Sequence, residues 1–178
     1  MPVSPSSHRV RAASAADAGA CAAIYAPYVE QTAITFELEA PTAQEMAVRI
    51  DAARDHAWLV LEDAGAVVGY AYGGVFNRRP AYRWACEVSV YVEMGRLRTG
   101  AGRALYEALL ALLARRGYRK AIAGMTLPNE SSVGLHLAMG FEPVGTYRDI
   151  GYKLGRWHDV AWMQAPLGDD LDPPPEPR

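Results

Sequence analysis

A single carboxylic acid interrupts the most strand-like stretch of this chain. Glu87 lies within residues 83–92 (RWACEVSVYV), whose β-branched and aromatic residues predict a strand. An unpaired carboxylate buried in such a strand costs several kcal/mol, so Glu87 needs a cationic partner or a chemical role. Partial burial raises the pKa of a glutamate and makes it a better general base. From the strand alone, two roles for Glu87 stay open, a general base and a structural ion pair with an arginine such as Arg83.

A glycine turn follows this strand and precedes the longest predicted helix. Gly100 and Gly102 stand in the run 96–103 (RLRTGAGR), at the start of an amphipathic helix predicted over 100–116. Free amides at a helix N-terminus attract anions, and glycines let a pyrophosphate approach the backbone. Residues 96–120 also hold seven basic side chains against one acid. A phosphorylated cofactor explains this pattern; a capped helix with a solvated arginine face is the alternative.

The composition is that of one ordinary globular domain. The 178 residues are 51% apolar and 21% charged with a net charge of −2, which excludes a disordered chain and gives no support to nucleic-acid binding. We predict one domain over 1–167 and a disordered, acidic and proline-rich tail over 168–178.

Cys21 and Cys86 belong to no metal-binding motif, so we expect no metal and a reduced, cytoplasmic protein. We find no secretory signal and no apolar run near the ~20 residues of a membrane span.

Helical and strand patterns alternate along the chain. A capping box at Thr42 and Glu45 begins one helix, and a glycine turn at 63–65 joins two strands. This alternation indicates an α/β protein with a mixed sheet and helices on both faces. The predicted helices cover 15–26, 42–54, 100–116 and 131–139, and the predicted strands cover 58–62, 66–73, 83–92, 119–126, 141–152 and 157–165.

Several motifs together resemble one known family. They are EQTAITFE at 30–37, AWLV at 57–60, AYRWACEVSVYV at 81–92, LPNESS at 127–132 with Leu135-His136, and GYKLGRWHDV at 151–160. As a set they resemble the phosphinothricin N-acetyltransferase branch of the GNAT superfamily, over about Val10 to Leu167. That branch includes enzymes acting on methionine sulfoximine and methionine sulfone. The resemblance implies the GNAT fold, a mixed and mostly antiparallel sheet between helices, with acetyl-CoA as co-substrate.

The resemblance also implies which residues bind the cofactor. The strand after Glu87 pairs with the pantetheine arm, the glycine turn holds the pyrophosphate, and the LPNESS motif contributes Asn129 and Ser132. Leu97 stands where the superfamily usually has Gln or Arg, which leaves open whether Arg96 or Arg98 replaces that contact. The implied cofactor-binding residues are Val90, Tyr91, Val92, Arg98, Thr99, Gly100, Ala101, Gly102, Arg103, Asn129 and Ser132.

The family resemblance favours the general base for Glu87, and a second catalytic candidate is His136, in the helix after Asn129. Many GNAT enzymes have a tyrosine here that protonates the departing thiolate, whereas this branch resembles the present chain in having histidine. A catalytic role and a role as a hydrogen-bonded core residue both stay open for His136.

The residues just before the Glu87 strand are candidates for binding the substrate. Arg78, Arg79 and Tyr82 lie there, and the planar guanidinium of an arginine is suited to bind both oxygens of a carboxylate. The candidate substrate-binding residues are Phe36, Arg78, Arg79, Tyr82, Ala85 and Cys86.

These residues lead to one expected activity and two alternatives. We expect direct transfer of acetyl from acetyl-CoA to the α-amine of a small amino acid or analogue, without a covalent enzyme intermediate. The alternatives are an acetyltransferase for another amine, such as a polyamine or a peptide N-terminus, and an acyl-CoA sensor without turnover. Members resembling this branch are commonly homodimers, so we also expect a dimer.

Overall fold

A computed structural model describes residues 8–96, 99–168 and 174–177. The described helices are α1 Ala18–Gln31, α2 Ala43–Ala52, α3 Ala101–Arg115 and α4 Glu130–Ala138. The described strands are β1 Arg9–Ala12, β2 Ala57–Asp63, β3 Ala66–Val75, β4 Ala85–Val92, β5 Lys120–Thr126, β6 Glu142–Lys153 and β7 Arg156–Pro166. Within this part of the chain, no helix is long and apolar enough to cross a bilayer.

The strands form one sheet in the order β1-β2-β3-β4-β5-β7-β6. Neighbouring strands are antiparallel except for β4 and β5, which are parallel. The parallel pair is short: its register runs from Ala85 opposite Lys120 to Glu87 opposite Ile122 and then ends. The mixed, mostly antiparallel sheet predicted from the sequence is therefore confirmed.

Each face of the sheet carries its own core. On one face, Leu105 and Leu109 of α3 are fully buried together with Cys86 and Val88 of β4. On the other face, α1 and α2 cover the aromatic residues of β2 and β3. Because side chains alternate along a strand, Glu87 lies on the face of α1 and α2, opposite Cys86.

Two elements differ from the sequence prediction. β1 was not predicted; its four residues pair with β2, and Arg11 bonds to both Asp17 and Glu62. Helix α1 continues past Pro27, where the sequence predicts its end. The continuation is held by tertiary contacts, because Val29 is buried and the Tyr28 hydroxyl donates to the Val92 carbonyl at 2.6 Å.

The described part of the C-terminal tail lies against the start of β4. The Arg83 guanidinium makes two bonds of 2.7 and 2.8 Å to the Glu176 carboxylate, and Trp84 Nε1 donates to the Pro175 carbonyl. Residues 169–173 and 178 lie outside the described residues, so disorder of the tail as a whole stays a prediction.

Candidate active site

The separation of β4 from β5 opens a cleft in the middle of the sheet. Past Glu87 and Ile122 the two strands no longer pair. A small pocket between them is lined by side chains from β4, β5, α3 and α4, among them Ser89, Tyr106 and His136. It adjoins a larger groove of about 320 Å³ that runs along Val90–Val92 to the start of α3. The cleft therefore leads from the sheet surface to a helix N-terminus.

The N-terminus of α3 has the geometry of an anion site. Gly100 is its N-cap in the left-handed conformation at φ 82°, and no side chain caps the helix there. At Gly102 a Cβ would come within 3.3 Å of Leu135, so glycine keeps the backbone open to the groove. Amides at this position and the helix dipole fit the pyrophosphate of a CoA molecule.

The predicted cofactor-binding residues meet in this groove. Asn129 caps α4 by accepting from the Ser132 amide at 3.1 Å, which fixes the side chain of Asn129 beside β4. The groove is lined by Val90, Tyr91, Val92, Thr99, Gly100, Ala101, Gly102, Arg103, Asn129 and Ser132. Leu97 and Arg98 lie outside the described residues. Arg96 also lines the groove, but its guanidinium bonds to Glu93 and Asp63, so two carboxylates compensate its charge.

Glu87 lies where the two strands begin to separate. Burial raises the pKa of its carboxyl above the usual 4.5. Within the described residues, no ion pair or hydrogen bond joins a cation to this carboxylate. The alternative partner Arg83 is bound to Glu176 instead. A desolvated and unpaired carboxylate is what a general base toward an ammonium group requires.

His136 is buried and makes hydrogen bonds through both ring nitrogens. Nδ1 lies 2.7 Å from the Ser132 carbonyl, which can only accept, so Nδ1 carries the proton. Nε2 lies 2.9 Å from the Tyr106 hydroxyl. Burial lowers the pKa of His136 and raises that of Tyr106, so a neutral imidazole accepts from a protonated phenol. These contacts favour the core alternative for His136.

Comparison with known proteins identifies the family. The acetyltransferase (GNAT) domain model matches residues 10–162. A phosphinothricin N-acetyltransferase of Streptomyces viridochromogenes is 40% identical over 94% of this chain and 91% of its own length. The chain belongs to the GNAT acetyltransferase family. An L-methionine sulfoximine/L-methionine sulfone acetyltransferase of Pseudomonas aeruginosa is 35% identical over 92% of this chain and 95% of its own length.

A solved structure extends the comparison to the cofactor. It is a GNAT superfamily phosphinothricin acetyltransferase from Sinorhizobium meliloti in complex with acetyl-CoA, 36% identical with a TM-score of 0.89, covering 96% of this chain and 93% of that one. The predicted family, fold and use of acetyl-CoA are confirmed for this GNAT acetyltransferase.

The predicted substrate-binding residues of this acetyltransferase lie in different surroundings. The side chains of Arg78 and Arg79 are exposed, and the Tyr82 ring packs against Phe76. Phe36 contacts the β6–β7 hairpin, with its ring 6.2 Å from that of His158. Ala85 is half-buried at the start of β4.

The prediction that the Cys86 side chain contacts the substrate is wrong. Cys86 is fully buried in the core under α3, and its thiol lies 3.7 Å from the Lys120 carbonyl. It therefore faces away from Glu87 and has no contact with a substrate bound there. Alternation along the strand, applied to neighbours of Glu87, would have excluded it.

The sequence missed two parts of the site. Tyr106 of α3 is not among the predicted site residues, yet its side chain lines the cleft and its hydroxyl lies 2.9 Å from His136 Nε2. The second part is a polar cluster behind the loop that carries Phe36. There Lys153 Nζ donates to the Thr35 carbonyl at 2.8 Å, and Glu37 receives two bonds from Arg49. Nothing in the spacing of these residues indicates that they meet.

Proposed function

We propose that this acetyltransferase acetylates the α-amine of a small amino acid or amino-acid analogue of the phosphinothricin, methionine sulfoximine or methionine sulfone type. The observation that supports the proposal is the half-buried Glu87 at the point where β4 and β5 separate, a carboxylate without a cationic partner in the described part of the chain. Relatives named for these substrates share 35–40% identity with the chain. The acetyl group comes from acetyl-CoA, which supplies an activated thioester.

The proposed mechanism is direct transfer. Glu87 takes a proton from the substrate ammonium, directly or through a water, and leaves a neutral amine. The amine nitrogen bonds to the thioester carbonyl carbon, the carbon–sulfur bond breaks, and the nitrogen loses its second proton while the departing thiolate takes up one proton to become the CoA thiol. A backbone N–H along Val88–Val92 is suited to stabilise the carbonyl oxygen as it gains charge. Holding both reactants in one cleft supplies much of the rate.

A covalent route through a cysteine has no support. Both Cys21 and Cys86 are buried, and burial raises the pKa of their thiols to about 11 and about 12. A thiol that stays protonated is a poor nucleophile.

We also propose a cytoplasmic homodimer. Both cysteines are free, as in a reducing compartment. The outer strand β6, its turn and the start of β7 expose a row of large apolar side chains, which is unusual for a free surface. The exposed members are Val144, Tyr147, Ile150, Tyr152, Leu154 and Trp157. A second copy of the chain would cover them.

The test is release of the CoA thiol from acetyl-CoA against a panel of amines. The panel contains methionine sulfone, methionine sulfoximine, phosphinothricin, ordinary amino acids, polyamines and a peptide. We expect turnover with the first three compounds. Turnover confined to polyamines or the peptide would replace the proposal with another amine class, and acetyl-CoA binding without any turnover would favour the sensor.

A further inference from the structure

A second cavity lies on the Glu87 face of the sheet, between α2 and strands β2 and β3. Its volume is about 290 Å³, and its walls include Met46, Trp58 and Tyr72. The rings of Trp58 and Tyr72 stack with their centroids 4.4 Å apart. This wall suits the apolar part of a small ligand.

The cavity begins beside Glu87. Gly74 lines it and is the register partner of Glu87 across β3 and β4. Directly opposite residues of antiparallel strands place their side chains on the same face. A Cβ added at Gly74 would meet nothing within 4 Å. Tyr72, two residues before Gly74 on β3, lines the same cavity, and its hydroxyl is within electrostatic range of both Glu87 and Arg49. A ligand held at Glu87 can therefore extend past Gly74 into the cavity.

Arg49 lines the far side of this cavity in a fixed orientation. Its two terminal nitrogens donate to the two Glu37 oxygens at 2.6 and 2.8 Å. Glu37 is itself held by the Tyr25 hydroxyl at 3.0 Å. These bonds use two of the five guanidinium N–H groups, so three stay available to another acceptor. The Arg49 side chain is 40% exposed, so a ligand can reach it.

We propose that this cavity receives the side chain of the amine substrate and that Arg49 donates to the oxygen atoms at its end. This inference rests on the proposed function: the cavity and Arg49 would be the features that select its class of substrate. Phosphinothricin, methionine sulfoximine and methionine sulfone all carry oxygens on a tetrahedral phosphorus or sulfur atom at the end of a short carbon chain. The carbon chain contacts the aromatic wall, and the oxygens meet the guanidinium. The α-carboxylate of the substrate would then be bound by the exposed Arg78 or Arg79.

The decisive quantity is the ratio of kcat/KM for methionine sulfone to that for norleucine, which has a similar chain without the oxygens. Arg49→Lys keeps a positive charge beside Glu37 but loses the planar set of donors. We expect the ratio to fall about tenfold, as for the loss of one charge-assisted hydrogen bond. General damage to the fold would lower both values and leave the ratio unchanged. Arg54→Lys, an exposed arginine paired with Asp51, is the matched control and should leave the ratio unchanged.

A second pair of variants tests the cavity itself. Gly74→Ala adds one carbon beside Glu87 and Gly74→Val adds three, in an extended strand where no left-handed conformation is needed. We expect kcat/KM for methionine sulfone and norleucine to fall progressively, by about tenfold or more for valine, while the KM for acetyl-CoA stays within about twofold.

The outcomes separate the two proposals. If the wild-type protein acetylates none of the amino acids, the proposed function fails and the inference fails with it. If the wild-type protein acetylates methionine sulfone but neither Arg49→Lys nor Gly74→Val changes the two kcat/KM values, the function stands and the cavity is not the side-chain site. A fall in both values at Arg49→Lys, with an unchanged ratio, also overturns the role of Arg49.

Discussion

The Phe36 ring lies directly over the Cα of Gly151, so that a Cβ at position 151 would come 2.2 Å from Phe36 Cε2. This approach joins the loop after α1 to strand β6. Gly151→Ala must therefore displace the ring. Because Phe36 is a predicted substrate contact, we expect the KM for the amine to rise several-fold while the KM for acetyl-CoA is unchanged. Steady-state kinetics with each substrate varied in turn is the measurement.

Gly145→Ala is the control for this substitution. Gly145 lies on the same strand, and a Cβ there would meet nothing within 4 Å. Equal KM values for the amine in Gly151→Ala and Gly145→Ala would show that Phe36 does not contact the substrate.

Removing the charge of Glu87 tests its role as the base. Glu87→Gln keeps the size of the side chain but cannot take a proton, so we expect kcat/KM to fall by about 10²–10⁴-fold. Acetyl-CoA affinity, measured by calorimetry, should be unchanged. Glu107→Gln, which removes an exposed ion pair with Arg103, is the control. Unchanged turnover in Glu87→Gln would rule out Glu87 as the base.

The pH dependence of activity should report the same carboxyl group. The base is active only when deprotonated, and burial raises its pKa above 4.5. Activity should therefore fall as the pH drops through this raised pKa, at a higher pH than for an exposed glutamate. A plot of kcat/KM against pH gives the midpoint of this decline. The residual activity of Glu87→Gln should not show the decline at low pH. An acid limb that survives in that variant would belong to another group.

His136→Phe separates the two roles open for this histidine. The substitution leaves the Tyr106 hydroxyl and the Ser132 carbonyl without their partner, so we expect the free energy of unfolding to fall by about 1–3 kcal/mol. We expect kcat to stay within about tenfold of the wild type, since general acid catalysis contributes more than that. Denaturant unfolding and kcat are measured on the same sample. A loss of kcat above 100-fold with unchanged stability would instead establish the catalytic role.

Asp17 should make the fold sensitive to acid. Its carboxylate accepts from Arg11 at 2.7 and 2.8 Å and from the Ser14 amide, which lowers its pKa from 3.8 to about 2. The stabilisation is present above the unfolded pKa and is lost as the pH falls from about 4 to about 2. Thermal unfolding across this range measures it. Asp17→Asn should show a smaller change of melting temperature with pH there; an identical slope would mean that other carboxyls dominate.

The sequence by itself determined the parts of this protein that depend on local pattern. The alternation around Glu87 predicts a strand, the capping box at Thr42 begins α2 at the observed place, and the glycine turn precedes α3. These features depend on residues close together in the chain, because capping and strand alternation act over a few positions. The family motifs also predicted the GNAT fold and the use of acetyl-CoA as co-substrate.

The tertiary structure decided which side chains face each other. Arg83 could have neutralised Glu87 but binds Glu176, which is distant in sequence. His136 lines the cleft, and its two ring nitrogens bond to Ser132 and to Tyr106. Lys153 meets Thr35 only because the β6–β7 hairpin folds back onto the loop after α1, whereas Arg49 reaches Glu37 of that loop from α2. The contacts Arg83–Glu176, His136–Tyr106 and Lys153–Thr35 join chain segments far apart in sequence, and no periodicity or spacing records them.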